Sequence, residues 1–380
     1  MKTRSAFFLA FILLVNTFIN AQRKPKNKMS NDFHLLVGTY TSGKSEGIYV
    51  YKFNALTGEF VSESIAKNVK NPSFLAVSPN EKFVYSAGEI DKNGAVYAFS
   101  FDKKLGSLTQ LSTQSSNGNY PCHVAIDKTG KWVIAGNYGA GSLTVLPVEA
   151  NGGLGKPIQT IQHEGKGKNA ERQESPHVHS INIAPNNTDI FVADLGIDQL
   201  VSYSLNATTG MLSKGNPPFT KLEDGTGPRH FTIHPNGKFA YVIQELSSQI
   251  TAFDYKKGSL KTIQSISTLP ADYKGANSCA DIHISPDGKF LYGSNRIHDS
   301  IVIYSIDPQT GKLTYIAHES TKGKKPRNFI IDPAGNFVLV ANQETDNIVI
   351  YKRDAKKGTL TPTGKEISVP NPVCLKMIHF

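Results

Sequence analysis

From residue 33 onward the chain is built of short apolar runs, many alternating with polar residues, and a turn signal interrupts them about every ten residues. No stretch carries the 3.6-residue period of an amphipathic helix. The segment "GPRHFTIHPNGKFAYVIQELSSQI", residues 227–250, shows the pattern clearly. Phe231 and Ile233 form one apolar run, Phe239, Tyr241 and Ile243 another, and "HPNGK" supplies the turn between them. Arg229 stands just before the first run and Glu245 just after the second.

The same pattern returns in "NPSFLAVSPNEKFVYSAGE", "YPCHVAIDKTGKWVIAGNY", "SPHVHSINIAPNNTDIFVADL", "SCADIHISPDGKFLYGSNR" and "KPRNFIIDPAGNFVLVANQ". Aligned on their turns, Pro79, Lys128, Pro185, Pro235, Pro286 and Pro333 fall at one position, roughly fifty residues apart. A third strand ("AVYAFSF", "QITAFDY", "SIVIYSI") and a Gly-containing turn with a Leu ("KLGSL", "TTGML", "KKGTL") follow each hairpin. Four strands per repeat predict propeller blades around a central channel. Six copies are complete. "NPVCLKMIHF" at the C-terminus and "FHLLVGTY", "GIYVYKF" and "TGEF" near the start make a seventh, shared blade that closes the ring and leaves no open edge. The predicted fold is an all-β, seven-bladed β-propeller with four antiparallel strands per blade. A pair of β-sandwiches would not repeat one register six times.

In such a blade the strands run outward from the channel, so the start of strand A and the exit of strand B open on one face. Ser73, Cys122, His179, Arg229, Ala280 and Arg327 stand at the first position. Gly88/Glu89, Asn137/Tyr138, Asp194/Leu195, Gln244/Glu245, Asn295/Arg296 and Asn342/Gln343 stand at the second, with Thr39/Tyr40 from the closing blade. This rim is rich in ionisable and amide groups, which suits an anionic ligand held by arginines around a carboxylate. A water-filled mouth that merely tolerates polar residues is the plainer alternative. The loop "HEGKGKNAERQESPHVHS" is longer and more polar than its counterparts and brings His177 and His179 to the same rim as a candidate lid. Their i, i+2 spacing would place them on one face of a strand, but no third ligand stands at metal spacing, so no metal is expected. The G-x-S-x-G in "SGKSEGIYVY" lies between two strands rather than at a strand-to-helix elbow and reads as a chance match.

Charge changes the picture little. Of the net +10, six come from Lys2, Arg4, Arg23, Lys24, Lys26 and Lys28, and residues 1–30 hold no acid. The rest is mildly basic with no Lys/Arg block interleaved with aromatics, so nucleic acid is not an expected partner. Lys2 and Arg4, the apolar run Ala6 to Ile19, and "INA" before Gln22 read as a secretory signal over residues 1–21. Residues 22–32 read as a flexible tether and residues 33–380 as the propeller. The apolar run is short for a bilayer span, so the mature chain is expected to be exported, periplasmic or secreted, without stable membrane insertion. Cys122, Cys279 and Cys374 are odd in number and widely spaced, which predicts buried free thiols.

"VGTYTSGKSEGIYVY", "RQESPHVHS", "GPRHFTIHPNGKFAYVIQEL", "DIHISPDGKFLYGSNR" and "RNFIIDPAGNFVLVANQ" resemble the seven-bladed lactonase family across nearly all of the mature chain. That family includes bacterial propeller-type 6-phosphogluconolactonases and fungal carboxymuconate lactonizing enzymes. The resemblance implies hydrolysis of an anionic sugar-acid lactone, with no cofactor. It assigns the catalytic group to His179, Arg229, Glu245 and Arg296, with Arg327 competing for the second arginine role. Substrate contacts are expected from His177, Arg327, Asn137, Tyr138, Asn295 and Gln343. Glu245 or His179 would take the water proton, Arg229 would polarise the carbonyl, and Arg296 or Arg327 would hold a carboxylate or phosphate. Export sets the chain apart from family members that act on phosphorylated sugars inside cells, and makes an unphosphorylated lactone an alternative substrate. A non-catalytic propeller that binds a glycan or protein through Tyr40, Tyr120, Tyr138 and Tyr273 is the reading from another class. A quinone-dependent sugar dehydrogenase would need Ca²⁺ ligands and a wide cofactor floor that the sequence does not offer.

Overall fold

The computed structural model describes residues 31–380; the expected signal and all but the end of the expected tether lie outside the described residues. The apolar runs become 28 strands in seven four-stranded antiparallel sheets, and no helix among the described residues is long and apolar enough to cross a membrane. Six sheets are continuous in sequence, and the seventh pairs the C-terminal strand Pro372–His379 with Asp32–Thr39, followed outward by Gly47–Asn54 and Phe60–Lys67. The propeller and its closure by both ends of the chain are therefore as the repeat predicts. The first strand begins at Asp32, one residue inside the expected tether. Blades are numbered 1 to 6 from residue 72, and the closing blade is blade 7.

The core lies in the seams between blades rather than in one central mass. Seven apolar clusters each join two neighbouring blades. Phe53 of blade 7 meets Phe337 of blade 6 edge-on, with ring centroids 5.8 Å apart. A tyrosine in strand B of blades 1, 4 and 5 adds a polar tie across three of the seams. The hydroxyls of Tyr85, Tyr241 and Tyr292 donate to the carbonyls of Gly152, Gly311 and Gly358 in the next blade at 3.1, 2.9 and 2.8 Å. A buried Tyr hydroxyl needs such a partner, and the tight Gly turn of the neighbour supplies it.

One irregularity recurs in every innermost strand. Pro228 pairs with Gln244 and His230 with Ile243, so Arg229 is an extra residue with no partner across the ladder. Ser73, Cys122, His179, Arg327 and Val373 are skipped in the same way, and blade 5 carries its shift between Cys279 and Ile282. These are β-bulges, which re-aim side chains and increase local twist. The residues after the bulge continue into the channel wall.

Closure is the element on which the ring depends, because strand Pro372–His379 bonds His34 to Ile378 and Leu36 to Lys376 while burying Leu375 and Ile378 in two seams. Deleting residues 370–380 is expected to abolish the cooperative melt followed by circular dichroism and to give aggregates on size exclusion. A truncated chain that melts cooperatively within a few degrees of the full chain would show that closure does not carry the fold.

Candidate active site at the bulged mouth of the channel

The bulges bring their side chains to one end of the channel, where the residues that leave strand B meet them. Glu89, Cys122, Tyr138, Arg172, His179, Glu245, Arg296 and Arg327 line a cavity of about 120 Å³ there. Glu245 is its centre. One carboxylate oxygen, Oε2, accepts from Arg229 Nε at 2.9 Å and lies 2.7 Å from Arg296 Nη2. The other, Oε1, accepts from Arg172 Nη2 at 2.7 Å. The two charges flanking the hairpin of residues 227–250 do meet, because strands A and B are antiparallel neighbours and both ends reach the same rim.

Glu245 is only 4 % exposed. Burial alone would raise its pKa, but Arg296, Arg229 and Arg172 overcome that and bring it down to about 2. Arg229 is buried beneath it, with its pKa pushed down to about 10 by burial and by the neighbouring Arg296 and Arg327. It also donates from Nη1 to the Ala280 carbonyl and lies 3.3 Å from His230 Nε2. Arg229 is not among the residues lining the cavity; it backs Glu245 from below.

Arg296 donates to Ser278 Oγ at 2.6 Å and the Cys279 carbonyl at 3.0 Å, and its Nε is buried with no protein partner. Arg327 differs from the other three. Among the described residues it makes no salt bridge or side-chain hydrogen bond, and its guanidinium faces the Tyr40 ring at 5.4 Å. Tyr40 in turn donates to Glu89 Oε2 at 2.8 Å. Four guanidinium groups thus face two carboxylates, Glu245 and Glu89, leaving a formal excess of two positive charges.

His179 borders the cavity, with Nδ1 at 3.9 Å from Cys122 Sγ and Nε2 free of protein partners among the described residues. Burial, then Arg229, His230 and Arg327, hold its pKa well below the usual imidazole value, so it is neutral near pH 7. Burial also pushes the Cys122 thiol up, so this Cys–His contact does not make a thiolate nucleophile.

The expected substrate contacts divide. Tyr138 and Arg327 line the cavity. His177 lies outside it, stacked on the Tyr138 ring at 4.5 Å with Nδ1 bound to the Tyr138 carbonyl at 2.9 Å. The i, i+2 pair therefore does not converge: Tyr138 sits between His177 and His179, because the bulge at His179 breaks the strand alternation. Asn137 and Asn295 are fully buried and tie their blades to the segment leaving the preceding blade. Each Nδ2 donates to a backbone carbonyl, Ser116 at 2.9 Å and Thr268 at 2.8 Å, and to a serine of the next strand. Gln343 is tied through its backbone N–H to the Lys325 carbonyl and does not line the cavity. Among the described residues no cluster of three or more His, Cys, Asp or Glu is placed to hold a metal ion.

Arg172 was not singled out in the sequence. It comes from the long loop before blade 3, which Gln173 anchors by donating to the Leu195 carbonyl and Asp198 at 2.8 and 2.7 Å. Arg172 stays 41 % exposed while holding Glu245 and Tyr138. The polarity and length of that loop marked it as a lid, but no repeat position identifies the residue that reaches in.

Two measurements test this geometry. A depressed carboxylate pKa contributes stability that is complete above about pH 4.5 and fades as pH falls toward 2. The stability advantage of the native chain over Glu245→Gln should therefore shrink across that interval by about 3 kcal/mol, read from urea unfolding at each pH. Asn295→Ala should cost about 1–3 kcal/mol in the same assay by removing its bonds to the Thr268 carbonyl, Ser300 and Asn277, while leaving ligand affinity at the mouth unchanged.

The chain resembles known proteins along nearly all of its described length. The family described as "Lactonase, 7-bladed beta-propeller" matches residues 34–377. A 6-phosphogluconolactonase of Bacillus subtilis is 38 % identical over 346 residues, covering 90 % of this chain and 97 % of its own. A solved structure from Bacteroides fragilis is 42 % identical with a TM-score of 0.87, covering 92 % of this chain and 98 % of its own. A periplasmic gluconolactonase of Pseudomonas aeruginosa has the same TM-score at 32 % identity, over 91 % and 99 % of the two chains. The chain belongs to the seven-bladed β-propeller lactonase family.

Proposed function

We propose that the chain hydrolyses an anionic sugar-acid lactone at the bulged mouth, with a phosphorylated aldonolactone preferred over its unphosphorylated counterpart. The observation that carries this reading is the cluster itself: one ionised, buried Glu245 gripped by three arginines beside a fourth, Arg327, that makes no salt bridge among the described residues. A 6-phosphogluconolactonase and a periplasmic gluconolactonase among its relatives support the reaction class.

The geometry favours His179 over Glu245 as the base. Both Glu245 oxygens already accept from guanidinium groups, and protonating the carboxylate would break those ion pairs. His179 offers a neutral imidazole with an unoccupied nitrogen. Water attacks the lactone carbonyl carbon and gives its proton to His179 Nε2. The carbonyl π electrons move onto oxygen, where Arg296 stabilises the tetrahedral oxyanion. When that oxyanion collapses, the ring C–O bond breaks and the imidazolium returns its proton to the leaving ring oxygen, which becomes a hydroxyl. The new carboxylic acid then ionises. Arg327 holds the substrate's phosphate or carboxylate, and Arg172 and Tyr138 close over it. Glu245 and Arg229 are positioning residues: Glu245 sets three guanidinium planes and Arg229 balances its charge from beneath.

Turnover by the native chain on 6-phosphogluconolactone, followed with a pH indicator and corrected for spontaneous opening, should exceed that on glucono- and galactonolactone. Arg327→Met should raise KM for the phosphorylated substrate by about 10–100-fold and barely change the others. His179→Asn and Glu245→Gln should each lower kcat by at least about 100-fold. The acid limb of kcat/KM should lie well below pH 6.5, where the depressed His179 protonates. No turnover above background on any of the lactones would overturn the reading.

A further inference from the structure

The other end of the channel holds a larger cavity, of about 500 Å³. It is walled by residues beyond the bulge in the innermost strands, among them Phe74, His123, His230, Asp281, His283 and Lys376. Rings separate it from the first mouth. Phe74 stacks on His123 at 4.0 Å, His230 meets Phe74 and His123 edge-on at 5.8 and 5.9 Å, and His179 meets His230 at 5.4 Å.

The hydrogen-bond inventory of this cavity is lopsided. Asp281 is its carboxylate, and both oxygens are occupied. Oδ1 accepts from His230 Nδ1 at 2.7 Å and the Ile282 N–H at 3.0 Å. Oδ2 accepts from His283 Nε2 at 2.9 Å, the Phe329 N–H at 3.2 Å and Asn328 Nδ2. It is bound into the wall with no free lone pair to offer a cation.

The donors are not so matched. His123 Nδ1 accepts the Ile181 N–H at 3.3 Å, which leaves the ring proton on Nε2, and that N–H has no acceptor among the described residues. Lys376 has no carboxylate within salt-bridge distance and no hydrogen bond among the described residues; its ammonium lies over the Phe74 ring at 4.7 Å. One aromatic ring is thus bordered by an imidazole N–H and an ammonium, both without a protein anion. His283, having committed Nε2–H to Asp281, presents Nδ1 as an acceptor.

We propose that this second cavity is a binding site for a small hydroxylated organic anion with one carboxylate or phosphate head. The head sits between the Lys376 ammonium and His123 Nε2–H, a charge-assisted pair of donors. The carbon skeleton extends from there into the cavity, and His283 Nδ1 accepts from a hydroxyl. A metal ion or organic cation does not fit, because Lys376 repels it and Asp281 is already saturated. A neutral sugar would leave the ammonium without a counter-charge. The site is distinct from the first mouth and does not depend on the lactonase reading.

The test uses the Arg296→Met/Arg327→Met chain, in which the first mouth has lost its free cation, with thermal melts to show that each variant is folded. Isothermal titration with sodium gluconate and, separately, inorganic phosphate should reveal one saturable site for at least one of them. Gluconate alone would identify a hydroxylated carboxylate, phosphate alone a phosphate head, and either upholds the site. Adding Lys376→Met should weaken binding at least 10-fold and Lys376→Arg should preserve it. In the native chain, which avoids any folding defect, the ¹⁵N resonances of His123 should move during the same titration and fail to move in Lys376→Met. No saturable binding of either anion, or binding indifferent to Lys376→Met, would overturn the proposal and leave a water-filled channel end.

Discussion

The extra residue in each innermost strand governs what this protein can do at its axis. An ordinary strand alternates sides, so a residue beside a channel-facing one would turn into the seam between blades. The bulge suspends that rule for one position per blade. Arg229 and His230 are consecutive, yet Arg229 reaches Glu245 at one mouth while His230 reaches Asp281 toward the other. Without the bulge one of these charged or polar groups would fall among the apolar clusters of a seam. The seams stay apolar, and the axis becomes polar along its whole depth.

That polarity raises an electrostatic problem, which the first mouth solves by number. A single buried carboxylate would protonate and a single buried arginine would be expensive. Glu245 is shared by three guanidinium groups, so its charge persists to about pH 2, and Arg229 beneath it stays a cation even though burial lowers it to about 10. The arrangement is overcompensated. Among the described residues Arg327 makes no salt bridge or hydrogen bond and rests against the Tyr40 ring, and Arg296 keeps a buried Nε without a hydrogen-bond partner. An arrangement built only for stability would pair or remove those groups, whereas an anion that arrives from solution completes them.

Much of this was legible in the chain. The repeat specified blades, strand order and closure, because hydrophobic alternation and turn chemistry recur in one register. It also placed Arg229, Glu245, His179, Arg296 and Arg327 at one end of the channel, since residues at equivalent repeat positions share a rim. What was not legible came from departures from the repeat. The bulge leaves no mark in a hydrophobic pattern, so His177 and His179 read as a pair when Tyr138 in fact lies between them. Asn137, Asn295 and Asn342 sit where strand B ends and look like rim amides, but each is turned inward to cap a backbone carbonyl of the segment leaving the preceding blade. Arg172 arrives from a loop with no counterpart in other blades, so no alignment of repeats locates it.

The lower cavity was missed for a related reason. Its residues stand within strand A, interspersed with apolar neighbours, and only their summation around seven blades makes a polar chamber. Phe74, His123, His230 and Asp281 occupy the same place in four different repeats. The imidazoles there are neutral, since burial holds His123 and His230 below the normal histidine range, while Asp281 brings the one carboxylate among them, kept ionised against burial by His283 and His230. His230 links the two ends of the channel: it holds Asp281 at 2.7 Å, lies 3.3 Å from the Arg229 guanidinium and meets the His179 ring at 5.4 Å, so the carboxylate of one end offsets part of the positive charge of the other.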